Sequence, residues 1–167
     1  LYKRQIYIRA CDRPQQLRLL LDSLANYERR FRVARNVILL DDSIEEGNRD
    51  TNRDLLREFA RAVGNPVSYI GPVERAKLRQ RLAKALPQAA ASLEWLLDRG
   101  PRTRRGGGGR SWNLALLLSA GGEFALVGGG FRPPLRPAFF TPLHRPQRNL
   151  CSTCVGPANL TQKKRRK

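Results

Sequence analysis

Methionine is absent from the 167-residue sequence, position 1 included, so the chain reads as the interior of a longer one or as the product of N-terminal processing. No run of about 18 apolar residues occurs, so no transmembrane segment is expected. Leu1 to Arg4 lead straight into a strand-like segment without a signal-peptide pattern. Cysteine occurs only at Cys11, Cys151 and Cys154, which makes no disulfide framework and fits a reducing compartment, so a cytoplasmic location is expected. The only histidine, His144, stands in a Pro-rich stretch with no nucleophile nearby and reads as a solvated loop residue.

Acidic residues are missing from the whole C-terminal part. All 14 lie between Asp12 and Glu123, whereas residues 131–167 carry nine Lys/Arg and no acid. The first 130 residues carry 23 Lys/Arg, so each part contributes +9 to the net charge of +18, and the charge is far denser in the tail. Such a field attracts polyanions, be they nucleic acid, acidic membrane or nucleotide diphosphate; an arginine-rich solvated surface has the same composition. Six of the 11 prolines fall in residues 131–167, and no apolar period is visible there. A basic tail with little fixed structure is expected, with nucleic acid as a possible partner.

The first 130 residues alternate strand and helix signals. Gln5–Ala10 is β-prone, and Asp12-Arg13-Pro14 reads as a helix start, with Asp12 near the cap and Pro14 in the first turn. Leu17, Leu20, Leu21, Leu24 and Tyr27 follow at helical spacing, with Arg18, Asp22 and Glu28 expected on the outside. Val37 to Leu40 is a continuous apolar run ending in Asp41-Asp42-Ser43, as in a strand covered on both faces. A second helical stripe, Leu55 to Val63, stops at Gly64 and Pro66, and Val67 to Ile70 is a third strand. Residues 73–98 read as helix interrupted at Pro87, residues 99–110 as a flexible basic loop, and Trp112 to Ala120 as an apolar helix capped by Ser111. Glu123 to Val127 is a fourth strand, delivering the chain to Gly128-Gly129-Gly130. The expected fold is α/β, a doubly wound, mostly parallel sheet over residues 1–130, with its ligand site beyond the C-terminal strand ends.

Three strand ends then carry the candidate chemistry: Ala10-Cys11-Asp12-Arg13-Pro14, Asp41-Asp42-Ser43, and the stretch from Gly109-Arg110-Ser111-Trp112-Asn113 to Gly130. Their order and spacing resemble the nucleotide-binding front of family-two, inverting glycosyltransferases of the GT-A fold, a Rossmann-related architecture, over about residues 4–130. The resemblance implies that Asp42 accepts a hydrogen bond from the imide N–H of a base, usually uracil, for which an acceptor-only carboxylate is suited. It implies that Ala10, Cys11 and Asp12 line the nucleoside pocket, that Arg75 (or Lys77 or Arg79) faces the diphosphate, and that Arg110 and Asn113 bind the donor. Read without the resemblance, Asp41-Asp42 is a strand-end turn or capping pair, and the 75–79 cations are a solvated helix face.

The family also implies Mg²⁺ or Mn²⁺ on an acidic cluster after the fourth strand, where this chain has Gly128, Gly129 and Gly130, which offer no anionic ligand. The family's acceptor half and general base have no counterpart in 131–167, so the fold is expected to be incomplete on that side, no catalytic residue is assigned, and transfer is expected to be impaired. A shift of reading frame after Val127 would produce the same break in composition. The expected function is binding of a nucleotide-diphosphate sugar of the uridine type for glycosyl transfer; the rivals are a catalytically silent domain of that kind and a basic nucleic-acid-binding module. Gly106 to Arg110 is no Walker loop, because Arg104 and Arg110 occupy its glycine and lysine positions, although an anion at that helix start is physically reasonable. Cys151-Ser152-Thr153-Cys154 lacks the second ligand pair that zinc needs.

Overall fold

A strand that is apolar at every position must be covered on both faces, and Ile6 to Ile8 and Val37 to Leu40 are such strands. The computed structural model describes residues 5–97 and 108–128. In chain order these form β1 (Gln5–Ala10), α1 (Pro14–Phe31), β2 (Asn36–Asp41), α2 (Glu46–Val63), β3 (Val67–Ile70), α3 (Pro72–Ala85), a 3-10 turn (Pro87–Ala89), α4 (Ala90–Leu97), α5 (Gly108–Leu118) and β4 (Phe124–Gly128). The four strands make one sheet in the order β3-β2-β1-β4, and every pair is parallel.

Side-chain parity assigns the faces. Ile6, Ile8, Val37, Leu39 and Val127 pack against Leu17, Leu20, Leu21 and Leu24 of α1 and Leu55, Leu56 and Phe59 of α2. Tyr7, Ile38 and Leu40 point the other way, onto Leu97 of α4 and Leu114 and Ala115 of α5, with Leu78 and Leu82 of α3 beside them. Each fully buried Leu or Ile contributes about 1.5–3 kcal/mol through removal of apolar surface from water. The chain crosses the sheet from β1 to β3 with its helices on one face and returns to β4 with its helices on the other. A constant crossover hand requires this change of face when the direction of travel reverses. The result is an α/β, Rossmann-like sheet whose order reverses between β1 and β4.

Local chemistry explains most element ends, and it corrects three expectations. Pro14 opens α1, but the residue at its cap is Arg13 without a side-chain bond, and Asp12 turns away to another helix. Ser111 caps nothing: α5 begins three residues earlier, at Gly108, and Ser111 lies within its first turns. Glu28, expected in solvent, is only 3% exposed and accepts a hydrogen bond from Asn65 Nδ2. Burial pushes its carboxyl up to about 7, partly offset by attraction to Arg35 and by the Asn65 bond. Gly64 ends α2 at φ +69°, a left-handed position that suits glycine.

The break at Pro87 falls between α3 and α4 as the sequence implies. Leu114 and Ala115 are core, while Leu116 and Leu117 are exposed. Among the described residues no helix is long and apolar enough to cross a membrane. The expected basic tail at 131–167, with His144, Cys151 and Cys154, lies outside the described residues, as do Gly129, Gly130 and most of the 99–110 loop.

Candidate functional site

Register places the ends of β1 and β2 side by side: Ala10 pairs with Asp41, and the Asp42 N–H donates to the Ala10 carbonyl at 2.8 Å. From there three aspartates take different directions. Asp41 is fully buried and acts as a bracket: its Oδ1 accepts from the Ser43 N–H at 2.8 Å, and its Oδ2 accepts from Asn52 Nδ2 and from the Tyr69 hydroxyl, each at 3.0 Å. Burial, then the adjacent Asp41 charge, holds the Tyr69 hydroxyl above its ordinary pKa, so it stays a donor. The Tyr69 ring also crowds Gly71 at the cap of α3, where an added Cβ would lie 2.7 Å from it.

Asp12, at φ +48°, accepts from the Ile44 N–H at 2.9 Å, the Glu45 N–H at 3.2 Å and Asn48 Nδ2 at 3.2 Å, while its own N–H donates to Ser43 Oγ at 2.9 Å. It thereby serves the entry to α2, whose cap residue Glu45 makes no side-chain cap bond. Cys11, half-buried, directs its Sγ to the Asp42 carbonyl at 3.6 Å.

Asp42 turns to the opposite face. Arg75 of α3 donates from Nη1 to Asp42 Oδ1 at 2.7 Å and from Nη2 to the Asp41 carbonyl at 3.3 Å, and Ser111 of α5 donates to Asp42 Oδ2. Asp42, Arg75 and Ser111 are all buried. One carboxylate thus joins the end of β2 to two helices.

Above this tie a cleft of about 240 Å³ opens, bordered by Asp42 and Ser43, by Arg49 of α2, by Pro72, Arg75, Ala76 and Arg79 of α3, and by Leu97 and Arg110. Four arginines face it against one carboxylate, so its field favours an anion. Arg110 and Ser111 lie in the first turn or so of α5, where aligned peptide dipoles add positive potential.

Of the residues expected to bind a nucleotide, Asp42, Arg75 and Arg110 converge on this cleft. Ala10 and Cys11 lie directly behind it, in contact with the Asp42 backbone. Asp12 points to α2, and Asn113 donates instead to the Leu96 carbonyl at 3.1 Å, joining α5 to α4. Lys77 is exposed and does not border the cleft, whereas Arg79 does. The sequence reading did not single out Arg49, Tyr69, Asn52 or the role of Ser111. Arg49 was detectable only as a cation one turn into a helix that follows a strand-end Asp-Asp-Ser.

The divalent ion implied by the family does not fit the described residues. Gly128 has no side chain at the position in question, and Asp12, Asp41 and Asp42 all accept hydrogen bonds from protein donors. Among the described residues no group of three or more His, Cys, Asp or Glu is placed to hold a metal. Comparison with protein-family models, with curated proteins and with solved structures returns no match for the chain.

Proposed function

We propose that the chain is a nucleotide-diphosphate-sugar-binding domain of glycosyltransferase type, with the GT-A arrangement of its Rossmann-like sheet. The observation that carries this reading is Asp42, a carboxylate at the C-terminal end of β2 that borders an arginine-rich cleft. A nucleotide diphosphate presents the matching groups: an N–H on the base and a chain of anionic oxygens. Arg75 and Ser111 each take one lone pair of Asp42, and a carboxylate has further acceptor positions for a base N–H. Of the motif residues, Asp42, Arg75 and Arg110 border the cleft and support the same assignment.

Asp42→Asn tests it, because it keeps the side-chain volume while removing the charge. In titration calorimetry uridine diphosphate glucose should bind the parent chain, and the variant should bind it about tenfold more weakly, the loss of a charge-assisted hydrogen bond. Equal affinities, or tighter binding of a single-stranded oligonucleotide than of the nucleotide sugar, would overturn the proposal.

A further inference from the structure

We propose that the outer edge of β4 is a self-association surface, where a second copy of this chain pairs its own β4 antiparallel across a two-fold axis. The inference is independent of what the cleft binds.

β4 stands at one end of the sheet order and, among the described residues, pairs only with β1. Register shows which of its backbone groups face outward. Gln5 is in register with Phe124, and its N–H donates to the Glu123 carbonyl at 3.4 Å. In a parallel ladder the residues on either side of the register partner carry the bonds, so Glu123, Ala125 and Val127 turn their N–H and C=O groups to β1. Phe124, Leu126 and Gly128 turn theirs to the outer edge, where a further strand would complete the ladder.

The two edges of the sheet differ in how they are guarded. β3 has four residues, stands between Pro66 and Gly71-Pro72, and exposes Ser68. Short length, flanking proline and a polar residue keep an edge from pairing with another chain. Phe124 to Gly128 contains no proline and no charge. Glu123 is the only charged residue between Ser111 and Gly128, in a chain of net charge +18. Two copies that repel each other elsewhere can therefore meet along this stretch at the least electrostatic cost.

The outward pattern is also self-complementary. With the two-fold axis at Leu126, each Leu126 faces its counterpart, and Phe124 faces Gly128 of the second copy. Both kinds of pair bring outward residues together, so each exchanges both N–H···O bonds. Phe124 and Leu126 project to the face covered by α5. The Phe124 ring would then cover the partner copy's glycine, a cross-strand pairing that shields an edge glycine from water. An added Cβ at Gly128 meets nothing within 4 Å, so there is room for the ring. On α5, Arg110 borders the cleft together with Leu97 of α4, while Trp112 and Leu116 stand one turn apart on the other flank. Leu116 is 49% exposed, and α5 leads directly into β4, so this flank adds apolar surface beside the seam.

The sequence beyond β4 is a poorer occupant. Residues 129–146 include five prolines and no proline-free run longer than four residues, which interrupts any ladder as long as β4. Residues 147–156 are free of proline and are the rival to be separated from a second copy.

Sedimentation equilibrium of the full chain tests the pairing. The average mass should rise from 18.9 kDa toward twice that value over a concentration range of about 10–200 µM. Gly128→Pro removes one outward N–H and no bond to β1, and Leu116→Lys sets like charges beside the axis. Each should weaken dimerisation at least about tenfold and keep the parent's circular dichroism. In amide exchange, protection of Leu126 and Gly128 should grow with chain concentration, whereas that of Ala125 and Val127 should not. A monomer throughout the range overturns the inference, as does a dimer that both folded variants retain. Concentration-independent protection of Leu126 and Gly128 would put the chain's own later residues on the edge, and overturns it as well.

Discussion

Two carboxylates are buried at opposite ends of the same sheet, and their surroundings differ. At the C-terminal end Asp42 has an arginine fork at 2.7 Å and a serine hydroxyl, beside an open cleft. At the other end Glu28 closes α1 against Asn65, with Arg35 near enough to attract it, and its Oε1 has no partner among the described residues. Both are almost equally removed from solvent, at 6% and 3% exposure. Burial alone therefore does not mark a functional carboxylate. What separates them is the number of donors assembled around each and whether a ligand could reach it.

The largest expected effect comes from breaking the upper pair. Asp42→Ala leaves Arg75 buried without its counter-ion and should destabilise the fold by about 3–5 kcal/mol, measured by urea unfolding. A loss below about 1 kcal/mol would mean that the pair is solvated and the comparison false.

The lower carboxylate should reveal itself by pH. Its folded-state pKa of about 7 lies above the ordinary 4.5, so between these values only the folded chain keeps the proton. Stability should then be greatest at the acid end of this window and fall as pH rises through it, by on the order of 2 kcal/mol. Glu28→Gln should flatten that slope and be the more stable chain at pH 8. An unchanged slope would place the titrating group elsewhere.

The smallest effect sharpens the boundary of the site. Asn113→Ala removes one hydrogen bond, to the Leu96 carbonyl, and should cost about 1 kcal/mol of stability while leaving nucleotide affinity unchanged. A tenfold loss of affinity at constant stability would return Asn113 to the binding residues.

The alternation of strands and helices was legible because apolar spacing records which face of each element is buried: the run Val37 to Leu40 and the stripe Leu17 to Tyr27 both sit in the core as expected. The position of Asp42 was legible for the same reason, since a buried strand must end at its first charged residues. Its partners were not, because Arg75 and Ser111 lie 33 and 69 residues further along the chain. Ser111 was misplaced because a serine before an apolar run has the pattern of a cap, and nothing local shows that glycines 108 and 109 continue the helix. Glu28 was misplaced by residue type. It stands four residues after Leu24, on the buried stripe, and a charge there was assigned to solvent.

Asp12 supplies from the β1 loop the acceptor that the start of α2 does not find within its own sequence. The first turn of α2 is therefore stabilised by a residue more than thirty positions earlier, and the two segments should open together rather than fray separately. In amide exchange, Ile44 and Glu45 should lose protection in step with the end of β1. A peptide spanning only 46–63 should be less helical at its beginning than the same residues in the folded chain.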